Sequence, residues 1–380
     1  MADPPRLPTD VLIEVLIRLP VKSILKSRCV SKSWCELIRS PVFIQKHSKF
    51  ERKQRVLLVK RYFPQQNGQG ESFSFHDPNF PEVLVSPNLS IPILDDLNIS
   101  SRKRSNISIH GPCNGLVCIA FGKTVFFCNP ALREFKLLPL PRYPFGFIAV
   151  PLQYGFGFDP MTGAYKVIKI SYMTHELPKF AEFLDGLGKS NIRFDLYNSA
   201  SNSWTQIVAK VPNIIYLPGY ELFYNGTIHW FAVMATNNYP CILCFGVSTD
   251  AFSLLHFHDD FDSPERYLRL MEYDDRLAVV GYSGYMPEPY KIEIWVMKEY
   301  GEKESWTKQF VAAGHYCVIC PFLFLKNEEL LVESYNGQLA TCALNENKFK
   351  GFQLYGAPRT MSAVVYEESL ISLNQIIASE

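Results

Sequence analysis

Two cysteine pairs have the spacing of zinc ligands, Cys241-Ile242-Leu243-Cys244 and Cys317-Val318-Ile319-Cys320. Together they could supply the four thiolates of a structural zinc site. Their setting argues against it. The residues between each pair are aliphatic and strand-like, positions i and i+3 of a strand face opposite sides, and no turn residue folds two thiolates around one ion. Buried free cysteines are the expectation, and no metal is assigned. His256-Phe257-His258 sets two imidazoles on one strand face, and the sequence places no third ligand beside them. Gly281-Tyr282-Ser283-Gly284 comes nearest to a nucleophile elbow but lacks its spacing and its strand-to-helix setting. With no phosphate-binding glycine loop or calcium loop either, the sequence assigns no catalytic residue and no cofactor.

The chain around these residues is 380 long with a formal charge of +1, which argues against an electrostatically driven nucleic-acid or membrane binder. Hydrophobic residues at 47% and charged residues at 20% supply enough apolar side chain for a sizeable core. Aromatics at 14% and 26 prolines tilt the bulk towards strands and turns. The apolar stretch Val11 to Leu19 is broken by Glu14 and Arg18 and is too short to cross a bilayer, so no membrane span is expected. Ten cysteines without dense spacing, and a Met-Ala-Asp-Pro-Pro start without a basic leader, point to a reducing, cytoplasmic setting. The clusters Arg52-Lys53-Gln54-Arg55 and Arg102-Lys103-Arg104 leave a nuclear pool open.

The first fifty residues read as helices. Val11, Leu12, Ile13, Val15, Leu16 and Ile17 leave only Glu14 and Arg18 polar within a predicted helix from Thr9 to Arg18, after a Pro8-Thr9 start. Leu19-Pro20 ends it, because the residue before proline avoids the α region. A second helix fits Lys22 to Cys29 with Ile24 and Leu25 inward. Ser31 caps a third from Lys32 to Arg39, where Trp34, Leu37 and Ile38 make one apolar stripe, and Ser40-Pro41 stops it. Three short helices cannot bury this much apolar surface among themselves, so part of it should face a partner or the rest of the chain.

The arrangement Leu7-Pro8, Leu16, Arg18-Leu19-Pro20, Ser23-Ile24-Leu25, Cys29-Val30-Ser31-Lys32-Ser33-Trp34 and Leu37-Ile38 closely resembles an F-box over about Pro5 to Phe43. The resemblance implies docking onto a Skp-type adaptor and, through it, onto the cullin and RING protein of a ubiquitin ligase. Leu7, Pro8, Leu12, Leu16, Leu19, Pro20, Ile24, Leu25 and Trp34 are the candidate adaptor-docking residues. Several must also hold the helices together, and the sequence does not divide those roles.

Beyond Phe50 short strand-like runs alternate with tight-turn signals at Asn114-Gly115, Pro160 to Gly163, Asn225-Gly226, Asp274-Asp275 and Asn327-Glu328. An aromatic follows a second polar turn in each unit, at Phe135, Trp204, Phe252, Trp306 and Phe349. Units of about fifty residues holding about four strands each are the signature of propeller blades. Five units run from about Ser105 to Leu354, and strand-like runs between Arg55 and Val85 make a sixth. The run Ser362 to Tyr366, then Leu370 to Leu373, could pair into that first blade and close the ring.

Gly111 to Val117, Asn129-Pro130, Leu138-Pro139, Tyr154 to Asp159 with Tyr165-Lys166-Val167, and Trp295 to Tyr300 with Ser305-Trp306-Thr307 resemble the plant F-box-associated domain. The likeness is to plant F-box proteins of the S-locus-F-box-like, kelch-like-propeller group, whose members are implicated in pollen recognition of stylar ribonucleases and in turnover of immune receptors. The expected fold is α+β and multidomain: a small three-helix F-box over residues 1–48, then an all-β, six-bladed propeller over residues 49–380.

If the strands of each blade run outward in order, the short turns joining first to second and third to fourth share one face. The long irregular connections share the other, at Pro141 to Gln153, Met173 to Lys189, Ala209 to Gly219, Met234 to Pro240 and Ser283 to Pro289. Variable loops on a rigid scaffold are where recognition usually lives. Tyr143, Phe145, His175, Phe180, Phe183, Asp185, Lys189, Tyr216, Tyr239 and Tyr285 are the candidate target-binding residues there. The reading is a non-catalytic receptor that holds a protein target for ubiquitination. The alternatives are a propeller enzyme or a non-ligase scaffold with a structural helical cap. An enzyme would need ionisable side chains converging on the central channel, where the innermost strands offer mostly apolar residues such as Phe156, Phe158, Leu222 and Phe322.

Overall fold

The structure, a computed structural model, describes residues 8–50, 55–63, 70–86, 89, 107–176, 192–208, 211, 214–216, 219–234, 239–258, 267–283, 290–314, 318–346 and 348–376. Four helices open the chain: α1 (Thr9–Leu16), α2 (Val21–Ser27), α3 (Lys32–Arg39) and α4 (Pro41–Ser48). The Ser31 hydroxyl caps α3 by accepting from the Trp34 amide at 3.2 Å. Ser40-Pro41 does end α3, but it also begins a helix beyond the three expected. Ser40 caps α4 through the Phe43 amide, and Pro41 sits at its first position, where a missing N–H costs nothing. Ile13, Leu16, Ile24, Ile38 and Phe43 form the helical core.

Every later sheet has at least four strands. Blade 1 takes β1 (Arg55–Tyr62), β2 (Glu71–His76) and β3 (Leu84–Ser86). Blade 2 is β4 (Ile107–Cys113), β5 (Leu116–Phe121), β6 (Thr124–Asn129) and β7 (Glu134–Leu137). Blade 3 is β8 (Ile148–Asp159), β9 (Ala164–Thr174), β10 (Ile192–Asn198) and β11 (Ser203–Ile207). Blade 4 has two short inner pieces, β12 (Ile214–Tyr216) and β13 (Leu222–Tyr224), then β14 (Thr227–Met234), β15 (Pro240–Gly246) and β16 (Ala251–His256). Blade 5 is β17 (Tyr267–Tyr273), β18 (Arg276–Tyr282), β19 (Tyr290–Met297) and β20 (Trp306–Gly314). Blade 6 is β21 (Val318–Phe324), β22 (Glu329–Ser334), β23 (Gln338–Ala343) and β24 (Lys348–Tyr355).

The last strand, β25 (Ser362–Glu367), pairs antiparallel with β1 from Arg55↔Glu367 to Lys60↔Ser362. It is the innermost strand of blade 1, so the ring of six blades is closed by the two ends of the propeller sequence. Each gap between neighbouring blades has its own apolar cluster, such as Phe127, Phe156 and Tyr197 between blades 2 and 3. Sheets buried on both faces read as continuous apolar runs rather than clean alternation.

The turn signals mark the hairpins between first and second strands. Asn114 (φ 50°) with Gly115 (φ 75°), and Asn225 (φ 49°) with Gly226 (φ 68°), supply the two left-handed residues of a type I′ turn. The repeated aromatics stand at the first (Trp306) or second residue of an outermost strand and reach the cluster shared with the preceding blade. Trp204 Nε1 donates to the Pro139 carbonyl at 2.6 Å and Trp306 Nε1 to that of His256 at 3.1 Å, each stitching its blade to the one before.

Residues 370–373 do not extend the closing strand. Asn129 Nδ2 donates to the carbonyls of Ser369 (3.1 Å) and Ile371 (2.7 Å), and the chain turns into α5 (Leu373–Ile376). Leu370 then enters the helical core, so the tail joins helices to propeller instead of adding ladder bonds.

Candidate functional site

Helix α1 is apolar on two faces. Ile13, Leu16 and Ile17 are buried, while Val11 and Val15, one turn apart, are 47% and 51% exposed on roughly the opposite side. Pro8 is also exposed and Leu12 and Leu19 are half-buried. Between the two faces runs a polar edge on which Arg18 and Glu14 form an exposed pair at 3.6 Å. Of the other expected docking residues, Pro20 is exposed and Leu25 and Trp34 are half-buried. Leu16 and Ile24 have 2% and 0% of their surface free, so they support the helices from within. Leu7 lies outside the described residues. Val11 and Val15, with exposed Val30 beyond α2, were missed as docking candidates because periodicity alone cannot say which of two apolar faces is covered.

The helices sit on the short-turn face of the propeller. Ala131 and Leu132, in the turn between β6 and β7, and Ile371 pack against the helical core. Gln375 Nε2 donates to the Arg39 carbonyl at 3.3 Å. The strand directions put the connections β7–β8, β9–β10, β14–β15 and β18–β19 on the other face. The helical end and the long connections are therefore on opposite sides of the disc.

On that long-connection face the expected residues divide. Phe145 is wholly exposed, and beside it the Phe147 ring lies 4.1 Å from that of exposed His175, whose Nδ1 is 3.1 Å from the Gly146 carbonyl. Tyr143, expected as a contact residue, instead pins its loop to blade 3. Its ring lies 5.0 Å from the Arg193 guanidinium and 5.6 Å from Lys169 Nζ. Burial pushes its phenol up to about 12. Tyr239 is half-buried. Tyr216 lies in β12, and nothing is described of its side chain. Phe180, Phe183, Asp185, Lys189 and Tyr285 fall outside the described residues. Exposed Leu140, Phe147 and Val208 belong to the same face and were not singled out, since a lone apolar residue in a loop gives no periodic signal.

The innermost strands touch in ring order β25, β4, β8, β13, β17, β21. Contrary to the expectation of an apolar channel, ionisable side chains do converge at its long-connection end. Tyr220 reaches across the ring, its hydroxyl 3.4 Å from Ser362 Oγ and its ring 4.5 Å from the Arg269 guanidinium. Arg269 in turn donates to Cys320 Sγ at 2.8 Å, and His110 Nδ1 lies 2.7 Å from Glu221 Oε2. Burial lifts the Glu333 carboxyl to about 7, although Lys60, Arg269 and Arg359 pull the other way and the Arg359 amide donates to it at 2.7 Å. Tyr220 with Ser362, Arg269 with Cys320 and Glu221 with His110 each link different blades, and these buried groups fill that end of the channel. The residues that bring them there, Tyr220 and Glu221, precede the inner strand β13, where no strand pattern marks them.

The zinc-like spacing resolves as the strand geometry requires. Cys241 points into the cluster between blades 3 and 4 and Cys244 into that between blades 4 and 5. Burial raises their thiols to about 11 and about 12. Cys317 is outside the described residues. His256 and His258 flank buried Phe257, and His258 Nε2 lies 3.4 Å from Glu304.

Residues 4–46 match the F-box domain family, and residues 78–373 match the F-box associated beta propeller domain family. The chain is an F-box protein. An F-box/kelch-repeat protein of Arabidopsis thaliana is 23% identical, the match covering 99% of this chain and 98% of that one. A second Arabidopsis thaliana F-box protein is 25% identical over 96% of this chain and 91% of its own. Among solved structures, an oligogalacturonate lyase in complex with manganese aligns with a TM-score of 0.41 at 10% identity, over 77% of each chain. F-box proteins of this build are in general non-catalytic substrate receptors, the F-box engaging a Skp-type adaptor within the ligase. In this F-box protein no described helix is long and apolar enough to cross a membrane.

Proposed function

We propose that this F-box protein docks its adaptor through the open face of α1, with Val11 and Val15 beside Pro8, Leu12, Leu19 and Pro20. The opposite, long-connection face would hold a protein target for ubiquitination and proteasomal degradation. The observation that carries the reading is α1 itself, apolar on two faces of which the protein covers one. Adaptor on one side of the disc and target on the other leaves both faces accessible at once. The mechanism is proximity: holding a target beside a charged ubiquitin-conjugating enzyme raises its effective concentration, so turnover needs no catalytic residue in this chain.

The test is adaptor capture by the full chain carrying Val11→Asp and Val15→Asp. Charges placed in an interface core are desolvated without partners, so capture should fall more than about tenfold while the melting temperature holds. Undiminished capture would overturn the docking assignment.

A further inference from the structure

A cavity of about 250 Å³ lies where the helices meet the propeller. Two guanidinium groups line it, those of Arg28, just beyond α2, and Arg39, at the end of α3. Arg28 Nε is buried and has no hydrogen-bond partner, and neither arginine makes an ion pair within 4.0 Å among the described residues. Elsewhere Arg18, Arg55 and Arg193 each hold a carboxylate. Glu134 is the one carboxylate among the described residues of the cavity wall, and its Oε2 already accepts from the Leu373 amide at 2.7 Å and from Ser372 Oγ at 2.9 Å. Burial, and then the charge of Arg39, push the Arg28 guanidinium below its ordinary value, and the opposing pull of Glu134 only partly offsets them. Two like charges are thus held together at a cavity with a donor left over, an arrangement that costs free energy until an anion enters.

We infer that this junction binds a phosphate monoester, its oxygens bridging Arg28 and Arg39 and its carbon portion meeting Ile44, Leu132 and Leu370. A guanidinium fork matches phosphate oxygens two at a time, and two forks suit a dianion better than a carboxylate. The cavity has both a charged and an apolar wall, which suits an organic ester. Its walls come from α2–α4 on one side and from the β6–β7 turn and the C-terminal tail on the other. An occupant therefore ties the adaptor-binding end to the propeller and stiffens the joint between them.

Calorimetric titration of the full chain with phosphoserine, against serine, tests this. Phosphoserine should bind and serine should not. Arg39→Gln and Arg28→Lys should each weaken binding about tenfold, the lysine keeping the charge and the fold but losing the Nε donor. A phosphoserine-containing peptide run alongside separates the sources: tighter binding of the free amino acid marks a small metabolite, tighter binding of the peptide a phosphorylated chain, and both carry the phosphate-ester site. No binding at millimolar phosphoserine, or equal affinity in both variants, overturns it.

Discussion

Helix α1 and strand β5 are both short, strongly apolar runs, yet Val11 and Val15 of α1 stand open while β5 is buried along its length up to Phe121. The difference lies in the neighbours. An inner blade strand such as β5 has a sheet neighbour on each edge and another blade on each face, so nearly every side chain it carries finds contact. A helix on the rim of a small domain has neighbours on one side only, and a second apolar face is surplus that its own chain cannot cover. Apolar excess therefore means self-sufficiency in the propeller and dependence on a partner in the helices.

That contrast can be broken or sharpened, beginning with the propeller core. Trp230 is 1% exposed and its Nε1 donates to the Tyr154 carbonyl at 2.8 Å. Trp230→Ala should cost about 3–5 kcal/mol in urea unfolding and leave adaptor capture untouched while the protein is folded. Capture lost in the folded variant would mean that the two regions are not independent.

Glu333 keeps its proton to about pH 7 in the folded chain, whereas the unfolded chain releases it near 4.5. Between those values the native state binds more protons, so stability should fall as pH rises, by at most roughly 3 kcal/mol from this group. Glu333→Gln should flatten that part of the stability profile; an unchanged slope would show that the channel plug tolerates the charge.

Gly115 holds φ at 75°, and a Cβ there would run into Ser369 Cβ and meet the Glu367 carbonyl at 2.7 Å. Gly115→Ala should cost about 1–3 kcal/mol and loosen the closing tail, read as faster amide exchange over residues 369–376. The smallest effects separate two neighbours on one loop. Tyr143→Ala, which removes a ring beneath two cations, should cost about 1–2 kcal/mol, and Phe145→Ala should stay within about 0.5 kcal/mol. Equal costs would erase the division between a pinning residue and a presented one.

Much of the fold was legible because its signals are local. Asn114-Gly115, Asn225-Gly226 and Asp274-Asp275 are residue types that tolerate the left-handed backbone a tight hairpin turn demands, and Ser31 caps α3 through an amide only three residues on. The repeated outer-strand aromatics betrayed the blade period because each performs the same packing job in its own blade. The site was less legible. Tyr143 and Phe145 are two residues apart and similar in type, and only Lys169 and Arg193, distant in sequence, make one of them structural. Ser40-Pro41 reads as a stop because proline ends the helix before it, while its fitness to start α4 depends on Phe43, Ile44 and His47 finding cover beside the other helices.

Residue type and spacing by themselves determined the helical head, the six-unit repeat, the hairpin turns and the opposite orientation of the two half-zinc cysteines, since each follows from backbone geometry within a few residues. Only the tertiary structure decided which face of α1 is covered and that the channel is plugged by Tyr220, Glu221 and Arg269. It also decided that residues 370–376 bind helices to propeller and that Arg28 and Arg39 share a cavity. Each of these depends on burial and charge between segments far apart in the chain, and such contacts leave no period in the sequence.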